Sequence, residues 1–250
     1  MFDNLGHFLG VLSSGLPPTV ELTVGGIVIA TVASFVAGLA GGSRSLTVRV
    51  IVRIYVEGWR GTSELVQLFW IYFAVPLLLS IQIMPLWAGI IVLGLNHGAY
   101  GAEIVRGAVQ SVAKEQHEGA VALGFTPAQR MVRVILPQAV VEMLPSFNTL
   151  FIQLLKATAI VSLITVPEVT YQAKQILVPV FSGQTPLILF VVLLFYLVLA
   201  IVITLVMRLL ERWAAARIGR RPTKRLRARD IEAALSGPID SPTGRPMDGR

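Results

Sequence analysis

The 250-residue sequence contains no cysteine and few charged residues, and both absences narrow the possible protein classes. Without cysteine the chain can form no disulfide framework, no thiolate metal site and no cysteine nucleophile. Charged residues make up 14% of the chain, against roughly 25% in an average soluble domain. Hydrophobic residues make up 54%, and the mean hydropathy is +0.73. One soluble core of this size cannot bury that much apolar surface, so the composition indicates an integral membrane protein.

Sequence motifs for nucleotide hydrolysis and metal binding are also missing. No Gly-Lys-Ser/Thr sequence is present, so the chain carries no Walker-type ATP site. His7, His97 and His117 lack the paired spacing of intramembrane haem or zinc ligands. Aspartate is almost absent from the apolar stretches, which argues against a relay of acids that carries protons. We therefore predict no catalytic residue, no metal site and no cofactor on this chain.

Five stretches are apolar enough to cross a bilayer, which requires roughly 20 residues. They are residues 22–40, 65–83, 86–105, 147–166 and 187–207. A further apolar stretch, residues 132–144, is short, and Pro137 and Pro145 are expected to break it. We interpret it as an interfacial or core helix that leads into the fourth span. The sequence thus predicts an all-α integral membrane protein with about five transmembrane helices.

Lysine and arginine are distributed unevenly between the segments that flank these stretches. The predicted outer segments hold only Lys174, whereas residues 41–60 and 106–133 hold four basic residues each. Eleven of the 21 basic residues lie from Arg208 onward. Because basic segments stay in the cytoplasm, we expect the N-terminus outside and the C-terminus in the cytoplasm. The net charge of +7 then reflects membrane topology, and we expect no nucleic-acid partner.

These features divide the chain into three predicted regions. Residues 1–19 form an extracytoplasmic N-terminal segment, and residues 20–212 form the transmembrane domain. Residues 213–250 are rich in Arg, Pro, Gly and Asp, which predicts a basic, disordered cytoplasmic tail. Its arginine-rich part, residues 220–229, either is a solvated segment that sets topology, which we favour, or contacts anionic lipid headgroups.

Residues 107–133 form the longest internal segment on the predicted cytoplasmic side. Helix-forming residues at 113–123 are followed by Gly124, which suits a left-handed cap at the helix end. Thr126 and Gln129 then have the spacing of a capping box, and a proline between them fits the first turn of a new helix. We predict two short helices joined at a glycine bend. They either dock on a partner or form an ordinary connection, and local physics leaves both open.

The same segment resembles the EAA loop of ABC-importer permeases. Glu118-Gly119-Ala120 stands where that pattern has Glu-Ala-Ala, Gly124 follows after three residues, and Leu136-Pro137 closes the pattern. Glycine at position 119, where alanine is usual, lowers the local helix propensity by about 1 kcal/mol. The resemblance covers residues 18–212 and extends to the polar amino-acid permeases. The segments that carry it are Arg60-Gly61-Thr62-Ser63 with Gln67, Tyr100-Gly101-Ala102-Glu103 with Arg106-Gly107, and Lys156-Ala157-Thr158 followed by Ile164.

This resemblance implies a type I ABC-importer permease fold in the bacterial inner membrane. It also implies two ATPase subunits that hold ATP and Mg²⁺, an extracytoplasmic solute-binding protein and a second permease chain, for which we favour a paralogue over a second copy. The chain itself is then not an enzyme. Its EAA loop is expected to be the helix that transmits ATPase closure to the membrane. The expected coupling residues are Glu118, Gly119, Ala120 and Gly124.

Intramembrane polar residues mark a candidate translocation pathway, because lipid cannot satisfy them. Asn96, Tyr100 and Glu103 recur at helical spacing on the third span, as do Gln153 and Lys156 on the fourth. The candidate pathway residues are Glu64, Gln67, Asn96, Tyr100, Gln153 and Lys156. For Gln67 and Lys156, contact with a zwitterionic solute and a structural role are equally open. For Glu103 with Arg106 we favour a structural ion pair.

The solute is the least constrained part of the prediction. Residues 56–76 and 94–107 resemble ectoine and hydroxyectoine permeases, whose substrates are compact zwitterionic compatible solutes. The wider expectation is a polar amino acid, since the solute-binding protein contributes much of the selectivity. Two other classes compete with an importer subunit. A stand-alone secondary transporter or channel is disfavoured by the EAA spacing and by the lack of an internal repeat. A membrane enzyme would require acid pairs or a histidine cluster.

Overall fold

The computed structural model describes residues 4–217, and all regular structure in that range is helical. The helices are α1 (Leu5–Ser13), α2 (Leu16–Ala40), α3 (Leu46–Arg60), α4 (Glu64–Phe69), α5 (Val75–Leu79), α6 (Pro85–Gln110), α7 (Lys114–Ala122), α8 (Pro127–Arg130), α9 (Leu136–Ala157), α10 (Val169–Tyr171), α11 (Val178–Val180) and α12 (Thr185–Arg217). Five tighter or wider helical turns connect them: Trp70–Ala74, Met131–Ile135, Thr158–Ile164, Gln172–Leu177 and Ser182–Gln184. Residues 213–217, which we assigned to the tail, continue α12, and the rest of the predicted tail lies outside the described residues.

Four helical stretches of the described chain are long and apolar enough to cross a membrane. They are Leu5–Ala40, Pro85–Gln110, Pro127–Ile164 and Ser182–Arg217. A fifth candidate is the pair Leu46–Arg60 and Glu64–Leu79, which is bent by 103°. With that pair counted as one span, the predicted all-α architecture and its five spans are confirmed. The orientation of the two termini stays a prediction.

Helices α2 and α6 form the closest helix pair in the fold because small residues line both facing surfaces. Gly26, Ala30 and Ser34 of α2 are buried, and they lie against the α6 residues around Gly94 and Gly101. A Cβ atom added at Gly94 would lie 2.5 Å from the Ile29 Cβ atom. One added at Gly101 would collide with the Ser34 hydroxyl. Small residues let the two helix backbones approach closely. In lipid, where the hydrophobic effect does not drive helices together, such close packing stabilises the pair.

The prediction that two prolines break the stretch before the fourth span is wrong. Pro127–Ile164 forms one helical stretch of 38 residues, and Pro145 lies inside α9. Pro137 lies two residues after the wide helical turn Met131–Ile135, which is a local adjustment of the helix at this proline. Pro145 is exposed, so its ring projects away from the packed side of the helix. Interior prolines are tolerated in membrane helices, where local adjustments satisfy the freed backbone groups.

Helix α3 occupies the basic segment 41–60 that was expected on the cytoplasmic side. It follows a short turn after α2, and only Val56 of its side chains is buried. Its tyrosine, Tyr55, donates a hydrogen bond of 2.7 Å to the Leu95 carbonyl in the middle of α6. Helix α3 therefore contacts the core along one narrow line, and the chain then turns sharply into α4.

Candidate functional site

The segment in which the sequence predicted a glycine bend folds as two short helices joined at a glycine. Gly124 has φ of +77°, in the left-handed region that favours glycine. The Phe125 N–H donates to the Ala120 carbonyl at 3.0 Å, and the Gly124 N–H donates to the Val121 carbonyl at 2.9 Å. This pair of bonds is a Schellman motif, which satisfies the carbonyls at the end of α7. The predicted glycine bend is therefore present.

The second helix of this segment begins with the predicted capping box. The Thr126 side chain accepts from the Gln129 N–H at 3.3 Å, and the Gln129 side chain accepts from the Thr126 N–H at 3.0 Å. Helix α8 then passes through the wide turn Met131–Ile135 into α9. The Gln138 side chain of α9 donates to the Gln116 side chain of α7 at 3.3 Å. We call residues 114–130 the coupling segment. One hydrogen bond joins its first helix to α9, and the capping box lies within the segment itself.

Three of the four predicted coupling residues face away from the core, and one faces inward. Glu118, Gly119 and Gly124 are exposed, whereas Ala120 is buried to 4% exposure. Ala120 is the only buried residue of α7. A cavity of about 340 Å³ lies between α7 and α8, and its lining includes Glu118 and Arg130. Ala120 thus packs the segment against its own chain, and Glu118 is available to a partner.

Two predicted pathway residues meet in one hydrogen-bond network between the bend and α6. The Asn96 amide donates to the Gln67 side-chain oxygen at 2.8 Å and to the Trp59 carbonyl at 3.1 Å. The Gln67 amide donates to the same Trp59 carbonyl at 2.8 Å and to the Thr62 hydroxyl at 2.6 Å. Trp59 and Thr62 lie at the end of α3 and just beyond it. The network therefore holds the 103° bend against α6.

Glu64 lies beside this network, next to a histidine that the sequence analysis did not assign to the pathway. Its carboxylate is 3.5 Å from the His97 Nδ1 atom, too far for a strong hydrogen bond. His97 is buried, and its Nδ1 atom is 3.0 Å from the Leu93 carbonyl. That contact requires the Nδ1-protonated tautomer. Glu64, Gln67 and Asn96 thus belong to one polar site at the bend.

The remaining predicted residues of α6 lie farther along the same face of the helix and have other partners. Tyr100 is half-exposed, and the Arg60 guanidinium lies over its ring at 5.1 Å from the centroid. Glu103 and Arg106 form an ion pair within α6. Helical spacing placed Tyr100 and Glu103 in one stripe with Asn96. All three lie toward α3, but their partners differ: Asn96 bonds the Trp59 carbonyl and Gln67, Tyr100 meets Arg60, and Glu103 pairs with Arg106.

Gln153 and Lys156 lie on a third surface, the uncovered face of α9. Both side chains are exposed, as is Thr149 one turn earlier. Within residues 4–217, Gln153 and Lys156 form no hydrogen bond or ion pair. The structure therefore brings three of the six predicted pathway residues together at the bend, and a fourth, Tyr100, lies next to Arg60. Gln153 and Lys156 remain on a face of α9 that residues 4–217 do not cover.

One residue that the sequence analysis missed is the fully buried Glu168. It follows Pro167 and caps α10, accepting from the Thr170 N–H at 2.8 Å and the Tyr171 N–H at 2.7 Å. The Tyr196 hydroxyl of α12 donates to the same carboxylate at 2.9 Å. Burial raises the pKa of Glu168 above the usual glutamate value, although the hydrogen bonds act in the opposite direction. An acid before a short helix is an N-cap signal that could have identified it.

Sequence comparison assigns the chain to a family. Residues 12–216 match the family model described as "Binding-protein-dependent transport system inner membrane component". The chain belongs to this family. It is therefore a multi-pass inner-membrane permease of the ABC importer class, from a family whose description couples transport to a binding protein. The proposed site residues of the loop and the spans all lie inside the matched range.

Curated relatives and a solved structure agree with this assignment. The protein y4tF of Sinorhizobium fredii, named a probable amino-acid ABC transporter permease, is 42% identical over 84% of this chain and 91% of its own length. The glutamine transport system permease GlnP of Escherichia coli is 34% identical over 81% of this chain and 92% of its own. A crystal structure of an amino acid ABC transporter with histidines is 32% identical, with a TM-score of 0.76 over 85% of this chain and 98% of that one. The MetNI methionine transporter, at 17% identity and a TM-score of 0.68, shows the same fold.

Proposed function

We propose that this permease is the membrane subunit of an ATP-driven importer for a polar amino acid or a small zwitterion, and that the coupling segment docks on its ATPase. The observation that supports the proposal is the capped helix pair of residues 114–130, whose sequence resembles the EAA loop. ATP binding on the partner would favour one arrangement of the permease through differential affinity, which moves the equilibrium between inward-facing and outward-facing states.

The surface of the coupling segment supports a protein partner. Val121 and Leu123 are 55% and 75% exposed at the end of α7. They lie close to the exposed Glu118 and to the cavity that includes Arg130. Exposed apolar side chains rimmed by charges are typical of an interaction site. The two caps fix the backbone conformation of the segment while its surface stays exposed. The segment can therefore move as a rigid unit when a partner displaces it.

Cross-linking tests the docking directly, because the chain has no cysteine and one introduced thiol is unique. The variant Leu123→Cys carries the thiol on the coupling segment, and Val180→Cys is the matched control, since Val180 is 70% exposed in α11. The permease is co-expressed with its partner ATPase and treated with a short thiol–amine reagent. We expect a permease–ATPase product for Leu123→Cys alone. Equal products from both variants, or none from either while the ATPase co-purifies, would refute docking through this segment.

The uncovered polar face of α9 is the proposed wall of the translocation pathway. Thr149, Gln153 and Lys156 recur at helical spacing, and lipid would leave the Lys156 ammonium unsatisfied. The second permease chain and the solute are the groups that can cover this face. In the polar site at the bend, Gln67 and Asn96 bond to each other and to the Trp59 carbonyl, which supports a structural role for these two residues, whereas the buried Oε1 atom of Glu64 has no hydrogen-bond partner.

Substitution of Lys156 tests this assignment in proteoliposomes that contain the whole transporter. We expect Lys156→Met to reduce uptake at least about tenfold, which corresponds to about 1.4 kcal/mol, and Lys156→Arg to restore part of it. The thermal unfolding temperature of the permease should not change, since Lys156 is exposed. Full uptake in Lys156→Met would remove this residue from the pathway. A lowered unfolding temperature with proportionate loss of uptake would make its role structural.

Competition for uptake tests which solute the transporter carries. The relatives are named for glutamine, arginine, cystine and octopine transport, all of which carry an α-amino acid group or its derivative. The resemblance of residues 56–76 and 94–107 to ectoine and hydroxyectoine permeases supports the narrower zwitterion. Uptake of labelled glutamine is measured with excess ectoine, arginine or glutamine as competitor, with and without ATP. Competition by amino acids alone would exclude ectoine, and uptake without ATP or partners would support the secondary transporter instead.

A further inference from the structure

Helix α3 differs from the spans in how its charges and its apolar side chains are arranged. Arg49, Arg53, Glu57 and Arg60 recur at intervals of three or four residues and so share one face. Apolar side chains on the rest of the helix are exposed, including Ile51 and Ile54. The helix turns by 103° before α4. The two arms of this broken span cannot both run along the membrane normal. The predicted span, residues 65–83, begins in the second arm, which leaves α3 closer to the membrane plane, as in amphipathic interfacial helices.

A charged cavity of about 620 Å³ lies between the basic face of α3 and the last turns of α6. Its charged lining consists of Arg49, Arg53, Glu57, Arg60, Glu103 and Arg106. Four guanidinium groups against two carboxylates leave a formal excess of two positive charges. The cavity lies at the end of α6 that leads to the coupling segment, which the distribution of basic residues assigns to the cytoplasmic side.

The ion pairs inside this cavity consume only half of its positive charge. Arg53 is 2.6 Å from Glu57, and Arg106 pairs with Glu103. Within residues 4–217, Arg49 and Arg60 have no carboxylate partner. Arg60 instead lies over the Tyr100 ring. Two arginines in one cavity are therefore available to an anion, and arginine recognises phosphate through its planar fork of donors.

The surroundings of the cavity select the kind of anion. Leu46, Val50 and Val52 line the same cavity as the arginines. On the other side of α3, a second groove of about 690 Å³ is lined mainly by apolar side chains, among them Ile54 and Trp70. A soluble anion gains nothing from these apolar surfaces. A molecule with a charged head and long apolar chains matches both.

We propose that the cavity between α3 and α6 binds the phosphate headgroup of an anionic phospholipid, with Arg49 and Arg60 as its counter-charges. The acyl chains then lie along the exposed apolar side of α3. Basic pockets between helices on the cytoplasmic side of membranes suit such headgroups. The proposal depends on the inner-membrane location of this family and does not depend on the solute or on docking of the ATPase.

Native mass spectrometry of the full chain in detergent measures this binding with two lipids that share the same acyl chains. Phosphatidylglycerol is the anionic probe, and phosphatidylcholine is the zwitterionic control. We expect the double variant Arg49→Gln/Arg60→Gln to bind phosphatidylglycerol about tenfold more weakly than the natural chain. Phosphatidylcholine should bind weakly to both. The matched control Arg44→Gln/Arg208→Gln removes two exposed arginines outside the cavity and should keep the affinity.

A variant with the opposite sign keeps the test valid if the double variant folds poorly. Glu57→Gln releases Arg53 from its ion pair and raises the charge of the cavity by one, so it should bind phosphatidylglycerol more tightly. A misfolded chain would not gain affinity. Equal weakening in the Arg44→Gln/Arg208→Gln control would show general surface attraction and overturn the proposal. Displacement of the lipid by an equal concentration of inorganic phosphate would assign the site to a soluble anion and overturn it as well.

Discussion

Helix α6 and the coupling segment follow each other in the chain and are stabilised in opposite ways. Helix α6 buries fourteen residues, from Ala88 to Ala108, against α2, α4 and α9. The coupling segment buries one residue of α7 and none of α8. Its shape comes instead from Gly124 and from the capping box of Thr126 and Gln129. Packing thus defines α6, whereas local backbone chemistry defines the coupling segment.

This difference separates stability from transmission. The buried residues of α6 cannot change without disturbing a neighbour, because side chains and backbones are already in contact. The coupling segment can change its surface freely as long as its caps remain. The proposed function needs both properties, since the spans keep their arrangement in lipid while the segment is proposed to contact a moving ATPase. Matched substitutions in α6 and in the coupling segment test whether stability and transmission depend on different regions.

The largest expected effect comes from overpacking α6. Gly101→Ala places a methyl group against the Ser34 hydroxyl, whereas Gly107→Ala on the same helix meets nothing within 4 Å. We expect Gly101→Ala to lower the free energy of unfolding by about 1–3 kcal/mol. The Gly107→Ala control should leave it unchanged or raise it slightly through helix propensity. Thermal unfolding of the purified chain in detergent measures both. Equal stability of the two variants would mean that α2 and α6 are not closely packed.

The second effect concerns the polar site on α6. Asn96→Leu removes the donor to the Gln67 side-chain oxygen and one of the two donors to the Trp59 carbonyl, so the Gln67 oxygen is left unpaired. We expect a loss of about 1–3 kcal/mol in unfolding free energy. Adding Gln67→Leu should cost less than it does alone, because both partners are then removed. Tyr100→Phe, on the exposed side of α6, is the control and should have little effect. Strictly additive losses would show that the two amides do not interact.

The sequence predicted the coupling segment better than it predicted the membrane core. Gly124, Thr126 and Gln129 act within a few residues, so spacing alone identifies their conformation. The interruption expected at Pro145 was wrong, because a membrane helix with exposed proline can continue where a soluble helix ends. The difference in role between Asn96 and Tyr100 depends on which side chains and carbonyls of the neighbouring helices lie opposite each residue. Helical spacing carries no information about that.

The third effect lies in the coupling segment and should spare the core. Gly124→Ala forces a side chain into the left-handed region, which costs roughly 1–2 kcal/mol locally. Gly119→Ala is the matched control, since it meets nothing within 4 Å and lies inside α7. We expect Gly124→Ala to weaken the proposed docking of the ATPase by about 5–30-fold, measured by binding of the purified ATPase. The unfolding temperature should stay unchanged. A decrease in unfolding temperature as large as that for Gly101→Ala would show that the coupling segment and α6 are stabilised in the same way.

The smallest expected effect is a change in hydrogen exchange at individual backbone amides, compared between the coupling segment and α6. Thr126→Val removes the side-chain acceptor of the capping box, which is worth about 1 kcal/mol. Thr47→Val, at an exposed position in the first turn of α3, makes the same chemical change without breaking a box. We expect hydrogen exchange at residues 128–131 to become about fivefold faster in Thr126→Val, and exchange in α6 to stay the same.

Exchange that accelerated in both regions would mean that opening of α8 spreads through α9 into the core. The coupling segment would then be an extension of the α6 packing and would report core stability to any partner. Exchange confined to α8 gives the segment its own local equilibrium. A partner that binds there can then order or release the start of α9 without first unfolding the spans, which is what transmission through this segment requires.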